Sequence, residues 1–138
     1  MHTSTSKINI IIDNSDVTLR VYPDKKIVHH EIHQFIYGET YQELMLKGAD
    51  AFEKHHCTKW LSDDRGSSAL RREDIEWATS FWEPRIMKAG WKYWALILPE
   101  KVIGQLYMKR LVERGDQQGI TVQLFSDPEK AMAWLERQ

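Results

Sequence analysis

Hydrophobic positions change period along this chain, and the changes divide it into segments. Residues 8–12 are a short apolar run rich in β-branched side chains, which predicts a strand. The cluster Asp13-Asn14-Ser15-Asp16 predicts a turn, because such side chains bond their own backbone. Val17, Leu19 and Val21 then alternate with Thr18, Arg20 and Tyr22, the pattern of a strand with one wet face. Pro23-Asp24 turns the chain and residues 27–35 predict a third strand, so the first third reads as an antiparallel meander.

The period then lengthens. Tyr37, Tyr41, Leu44, Met45, Gly48 and Phe52 recur at three- and four-residue spacing, one apolar stripe on a helix. Residues 57–61 predict a short strand that ends in the polar loop 62–68. Ile75, Ala78, Phe81 or Trp82, and Ile86 place a helix over 72–89, with Pro84 expected to kink or break it and Gly90 suited to its end. Residues 91–98 are almost continuously apolar, as a strand buried on both faces in a parallel sheet is. A third helix starts at Pro99-Glu100, with Val102 or Ile103, Leu106, Tyr107 and Leu111 on its buried side. Residues 120–125 predict the last strand. Ser126-Asp127-Pro128-Glu129 starts a final helix buried through Ala131, Trp134 and Leu135. The order β-β-β-α-β-α-β-α-β-α implies an α/β fold with α+β tendency: a single mixed sheet with helices packed on it.

At 138 residues this is one domain's worth of chain, and folding at that length buries about two-thirds of the unfolded surface. We expect one domain over 7–138, preceded by a flexible tail at 1–6. Lys and Arg total 19 against 20 Asp and Glu. The basic excess of a nucleic-acid binder is missing. No apolar run reaches membrane-spanning length, and Cys57 is the one cysteine, which excludes an intramolecular disulfide. A cytoplasmic protein without a cofactor is expected, since no dinucleotide, phosphate-loop, zinc-protease or nucleophile-elbow motif is present.

Certain phrases resemble small bacterial proteins of the SpoIIAA-like (STAS-like) fold. They are Lys59-Trp60-Leu61-Ser62-Asp63, Glu73-Asp74-Ile75-Glu76-Trp77, Ala89-Gly90-Trp91, and the closing Phe125-Ser126-Asp127 with Ala131-Met132-Ala133-Trp134-Leu135. The resemblance covers roughly residues 8–137 in element order and implies that fold. It transfers little activity, because a fold hosts many functions. Anti-sigma-factor antagonists of the fold carry a phosphorylatable serine after a central strand, which makes Ser67 and Ser68 the positional phosphosite candidates. Here Gly66 precedes the serines, where the family's Asp-Ser-Ser-Gly arrangement has it after them. A phosphate on Ser67 would bring about −2 of charge toward the next helix N-terminus.

Three constellations carry candidate chemistry. His29, Glu31 and His33 share one face of a strand and are sound ligands for a divalent ion, with His55 or His56 as further donors; a solvated strand face is the plainer reading. Asp63, Asp64 and Arg65 close a strand of the parallel section, where ligands of open α/β sheets bind; a capped, solvated turn is the plainer reading. Trp60, Trp77, Trp82, Trp91, Trp94 and Trp134 are many for a small core. Trp77, Phe81 and Trp82 on the proline-broken helix are the candidates for an exposed apolar patch. Cys57, in an apolar setting, is not expected to be a nucleophile.

The first expectation is therefore a non-enzymatic regulatory or protein-interaction module working through Asp63, Asp64, Arg65, Ser67, Ser68, Trp77 and Trp82. It would take a protein partner or a small apolar ligand, with a homodimer possible. The alternatives are a small apolar-ligand or lipid carrier, and a metal-dependent enzyme built on His29, Glu31 and His33.

Overall fold

A computed structural model describes the backbone of residues 7–103 and 106–138 and the side chains of all of these except 103 and 106–109. The expected tail at 1–6, and the side chains of Ile103, Leu106 and Tyr107 expected on the third helix's buried side, lie outside the described residues. The strands are β1 (Asn9–Asp13), β2 (Val17–Tyr22), β3 (Ile27–Ile32), β4 (Lys59–Asp63), β5 (Tyr93–Ile97) and β6 (Thr121–Phe125). The helices are α1 (Glu39–Lys54), α2 (Arg72–Trp77), α3 (Glu83–Lys88), α4 (Glu100–Ile103), α5 (Leu106–Gln117) and α6 (Pro128–Glu136). A π-helical turn, Ala78–Trp82, joins α2 to α3.

All six strands form one sheet in chain order. The first three pair antiparallel, and β3 through β6 pair parallel. The architecture is thus α/β with one mixed sheet, as the pattern predicts. Every parallel crossover steps the same way across the sheet, and the right-handed rule then stacks α1, α2–α3 and α4–α5 on one face. The other face is covered by α6, whose Ala131 and Leu135 pack on Tyr22, Ile27, Leu61, Ala95 and Ile97. Asp127 caps α6 by accepting a hydrogen bond from the Glu129 N–H at 2.9 Å. Among the described residues no helix is long and apolar enough to cross a membrane.

Three boundaries depart from the sequence expectation. β3 stops at Ile32 rather than residue 35, because Ile32 pairs with Val17, the first residue of β2, and no ladder remains beyond it. β4 starts at Lys59, not Cys57, and runs on through Ser62 and Asp63, which are buried strand residues rather than loop. The helix expected over 72–89 is continuous but changes pitch. Pro84 has no N–H for the Ser80 carbonyl one turn back, and the chain passes this point in π geometry. A helix that carries Gly48 packs closely on the sheet: a Cβ at that position would collide with the Trp60 ring.

Candidate functional site

Period-two alternation sorts the ends of β3 and β4 between the two faces. On the face covered by α1 through α5 stand Val28, His30 and Ile32 from β3, and Trp60, Ser62 and then Asp64 from β4. On the α6 face stand Ile27, His29 and Glu31, with Lys59, Leu61 and Asp63.

The helical face carries a connected polar row. The buried Trp60 indole donates from Nε1 to His30 Nδ1 at 3.0 Å. An indole N–H only donates, so Nδ1 accepts and the imidazole proton sits on Nε2, 2.9 Å from Asp64 Oδ1. Beside this row Trp94 Nε1 donates to Ser62 Oγ at 2.9 Å, which leaves the Ser62 hydroxyl its own proton to donate. The indoles themselves stack edge to face across the core, Trp60 on Trp82 at 4.9 Å and Trp82 on Trp91 at 5.5 Å.

The row ends in a cleft of about 150 Å³ outside the carboxyl ends of β3, β4 and β5. Its walls are apolar: Ile32, Tyr41, Met45, Trp82, Leu96 and Leu98. The π turn lines it with Ala78 and Thr79, and Ser67 and Ser68 stand at it from the loop after β4. Gly66 holds that loop close, since a Cβ there would collide with the carbonyl oxygens of Ile32 and His33. Glu83 and Arg114, also lining the cleft, form an ion pair with each other.

The expected site residues divide. Asp64, Ser67, Ser68 and Trp82 meet in the cleft. Asp63 and Arg65 do not; they pair on the α6 face, with Arg65 Nε 2.9 Å from Asp63 Oδ1 and Nη2 2.7 Å from Oδ2. Burial pushes the Asp63 carboxyl up, but the Arg65 hydrogen bonds and charge outweigh it and hold the group below its ordinary value. Trp82 corrects the expectation of an exposed patch: it is 5% exposed and its indole donates to the Met45 carbonyl at 3.0 Å. Half-buried Trp77 packs edge-on against Tyr41. The exposed apolar side chains of this segment are Phe81, 69% exposed, and Ile75, 42% exposed. Ser67 and Ser68 lie in the loop that precedes α2, whose N-cap is Arg71.

The expected metal face does not form a ligand cluster. Tyr22 Oη meets His29 Nδ1 at 3.1 Å, Arg20 takes Glu31 at 3.2 Å, and His33, beyond the end of β3, bonds Thr18 Oγ1 at 2.7 Å. His29 Nε2 is buried with no hydrogen-bond partner among the described residues. Burial, and then the Arg20 charge, lower the His29 pKa to about 3. Among the described residues no group of three His, Cys, Asp or Glu side chains is arranged to hold a metal ion. Burial likewise pushes the Cys57 thiol up to about 11, away from thiolate chemistry.

Sequence reasoning did not single out His30, and it took Ser62 only as the start of the polar loop and Trp94 only as one of six tryptophans. Two adjacent histidines on a strand must face opposite ways, and that signal identifies one of them as inward. What it could not reveal was the partner of that ring, across the sheet on β4. No family model matches the chain, and neither a curated protein nor a solved structure does.

Proposed function

We propose that this chain is a small-ligand-binding module of the SpoIIAA-like kind, taking a compact, largely apolar molecule rather than transforming it. The observation that carries the reading is the Trp60–His30–Asp64 row running from the core to an apolar cleft at the strand ends. Binding pockets typically combine apolar walls with a few fixed polar groups, and open α/β sheets place them at this end of their strands. A cavity of about 150 Å³ accommodates a benzene-sized body. Both nitrogens of His30 are engaged, which favours a positioning role for the ring over proton transfer. The consecutive parallel order β3-β4-β5-β6 is in keeping with the resemblance seen in the sequence. A cytoplasmic sensor or carrier is the setting that fits.

The regulatory-partner reading keeps one specific support. Ile75 lines the cleft, and both it and Phe81 are exposed, so ligand occupancy and an outer apolar surface share one segment.

Benzyl alcohol is a suitable first probe, a single ring with one polar tail. At a hundredfold excess over its dissociation constant it should stabilise the folded protein by about 2.7 kcal/mol, read as a rise in melting temperature. Ala78→Leu, which fills the cleft, should abolish the rise. An equal rise in the filled variant would place binding elsewhere, and the absence of any rise in the native protein would defeat the reading for a ligand of this size.

A further inference from the structure

Among the described residues the charges around the cleft do not cancel, and the remainder indicates what the cleft selects. Three formally charged side chains line it among the described residues: Asp64, Glu83 and Arg114. Glu83 and Arg114 are paired to one another. The other cation nearest in sequence, Arg65, is turned to the opposite face and bound through both arms to Asp63. Among the described residues Asp64 is thus left with the His30 N–H as its one side-chain partner. His30 fixes Oδ1, while Oδ2 has no hydrogen-bond partner among the described residues, and the side chain is 21% exposed. A carboxylate is an acceptor with room for several donors, so one imidazole N–H leaves most of its capacity open.

We infer that the cleft selects a small organic cation, a primary ammonium on a single apolar ring, with the ammonium held by Asp64 and the ring against Trp82 and Met45. This rests on the binding reading above and adds the charge and class of the ligand. His30 and, behind it, Trp60 act as positioning residues: they hold the carboxylate at the strand end without neutralising it. The apolar walls strengthen the interaction, because a charge pair is worth more where water is partly excluded. Hydrogen bonds between two charged groups are about twice as strong as neutral ones.

The test compares benzylamine with benzyl alcohol, which differ little except in charge at about pH 7.5, by calorimetric titration of the whole chain. The native protein should bind benzylamine about tenfold more tightly, in line with the usual worth of a charged hydrogen bond. Asp64→Asn should erase that preference, the two probes then binding with equal affinity, since an asparagine oxygen can still accept from His30. A retained preference in Asp64→Asn would overturn the assignment to Asp64. Equal affinity of the native protein for both probes would overturn the inference and leave the binding reading standing. Binding of neither would remove both. Phenylacetate, an anion of similar shape, gives a second measurement that needs no variant: the native protein should bind it more weakly than benzyl alcohol, and equal or tighter binding would overturn the inference.

Discussion

The two faces of the sheet end in the same pair of residue types and treat them oppositely. His29 and Asp63 stand on the α6 face, His30 and Asp64 on the helical face; the histidines are neighbours along β3, and Asp63 is the last residue of β4 with Asp64 the one after it. On the α6 face Asp63 is 5% exposed and closed by a bidentate arginine, and the histidine is buried with one nitrogen unpartnered among the described residues. On the helical face the histidine spends both nitrogens and delivers one proton to a carboxylate that keeps an oxygen for the cleft. The difference lies in what the neighbours supply. Arg65 saturates its aspartate, whereas an imidazole with one proton only orients the other. A fully paired carboxylate builds structure; a half-paired one at a cavity is available for recognition.

The largest effect should come from opening the sealed pair. Arg65→Ala leaves the buried Asp63 carboxylate without its two side-chain donors, and a buried acceptor stripped of partners costs about 1–3 kcal/mol, more when charged. We expect a loss of about 2 kcal/mol in urea unfolding, partly recovered by adding Asp63→Asn. A loss below about 0.5 kcal/mol would mean that the arginine, itself 43% exposed, merely decorates the surface, and the contrast between the faces would fall.

The orphaned histidine sets the next effect. The folded state holds His29 near pKa 3 against an ordinary 6.5, so below pH 6.5 the unfolded chain takes a proton that the folded one refuses. This contribution to stability is complete above pH 6.5 and is lost as pH falls toward about 3, by up to about 1.4 kcal/mol per pH unit. Between about pH 7.5 and 5.5 the native protein should lose about 1.4 kcal/mol. His29→Phe keeps the stacking on Tyr22 and removes the titration, so its profile over that window should be flatter by the same amount. Asp63, held below its ordinary 3.8, loses its contribution only at more acid pH and leaves this window clear. Parallel profiles would show that His29 reaches water.

Most of the fold was legible in the sequence, because element type follows from period. Alternation over 17–22, the helical stripe from Tyr41 to Phe52 and the apolar run before Pro99 each imply one answer. The site was legible only in part. Asp64, Ser67, Ser68 and Trp82 were singled out as residue types near a strand end. What separated Asp64 from Asp63 was the length of the strand: β4 runs on through Asp63 where the sequence suggests a loop from residue 62, so strand alternation sends the two side chains to opposite faces. The partners that define the site are long-range, His30 to Asp64 across β3 and β4, and Trp82 to the Met45 carbonyl across the helix layer. No local pattern encodes such pairs, which is also why Trp82 read as a surface residue.

The smallest effect gives the finest discrimination between the faces. Asp64→Asn should change folding stability by less than about 0.5 kcal/mol. The substituted amide oxygen still accepts from His30 Nε2, the Asp64 backbone N–H keeps its bond to the Ile97 carbonyl at 2.9 Å, and among the described residues the lost charge had no Lys or Arg partner. Replacing a charge that stabilises nothing in the empty fold costs nothing there, so the change should appear only in ligand binding. A stability loss approaching that of Arg65→Ala would mean that the carboxylate is held as tightly as Asp63. The two faces would then differ in exposure alone, and Asp64 would be structural like its neighbour.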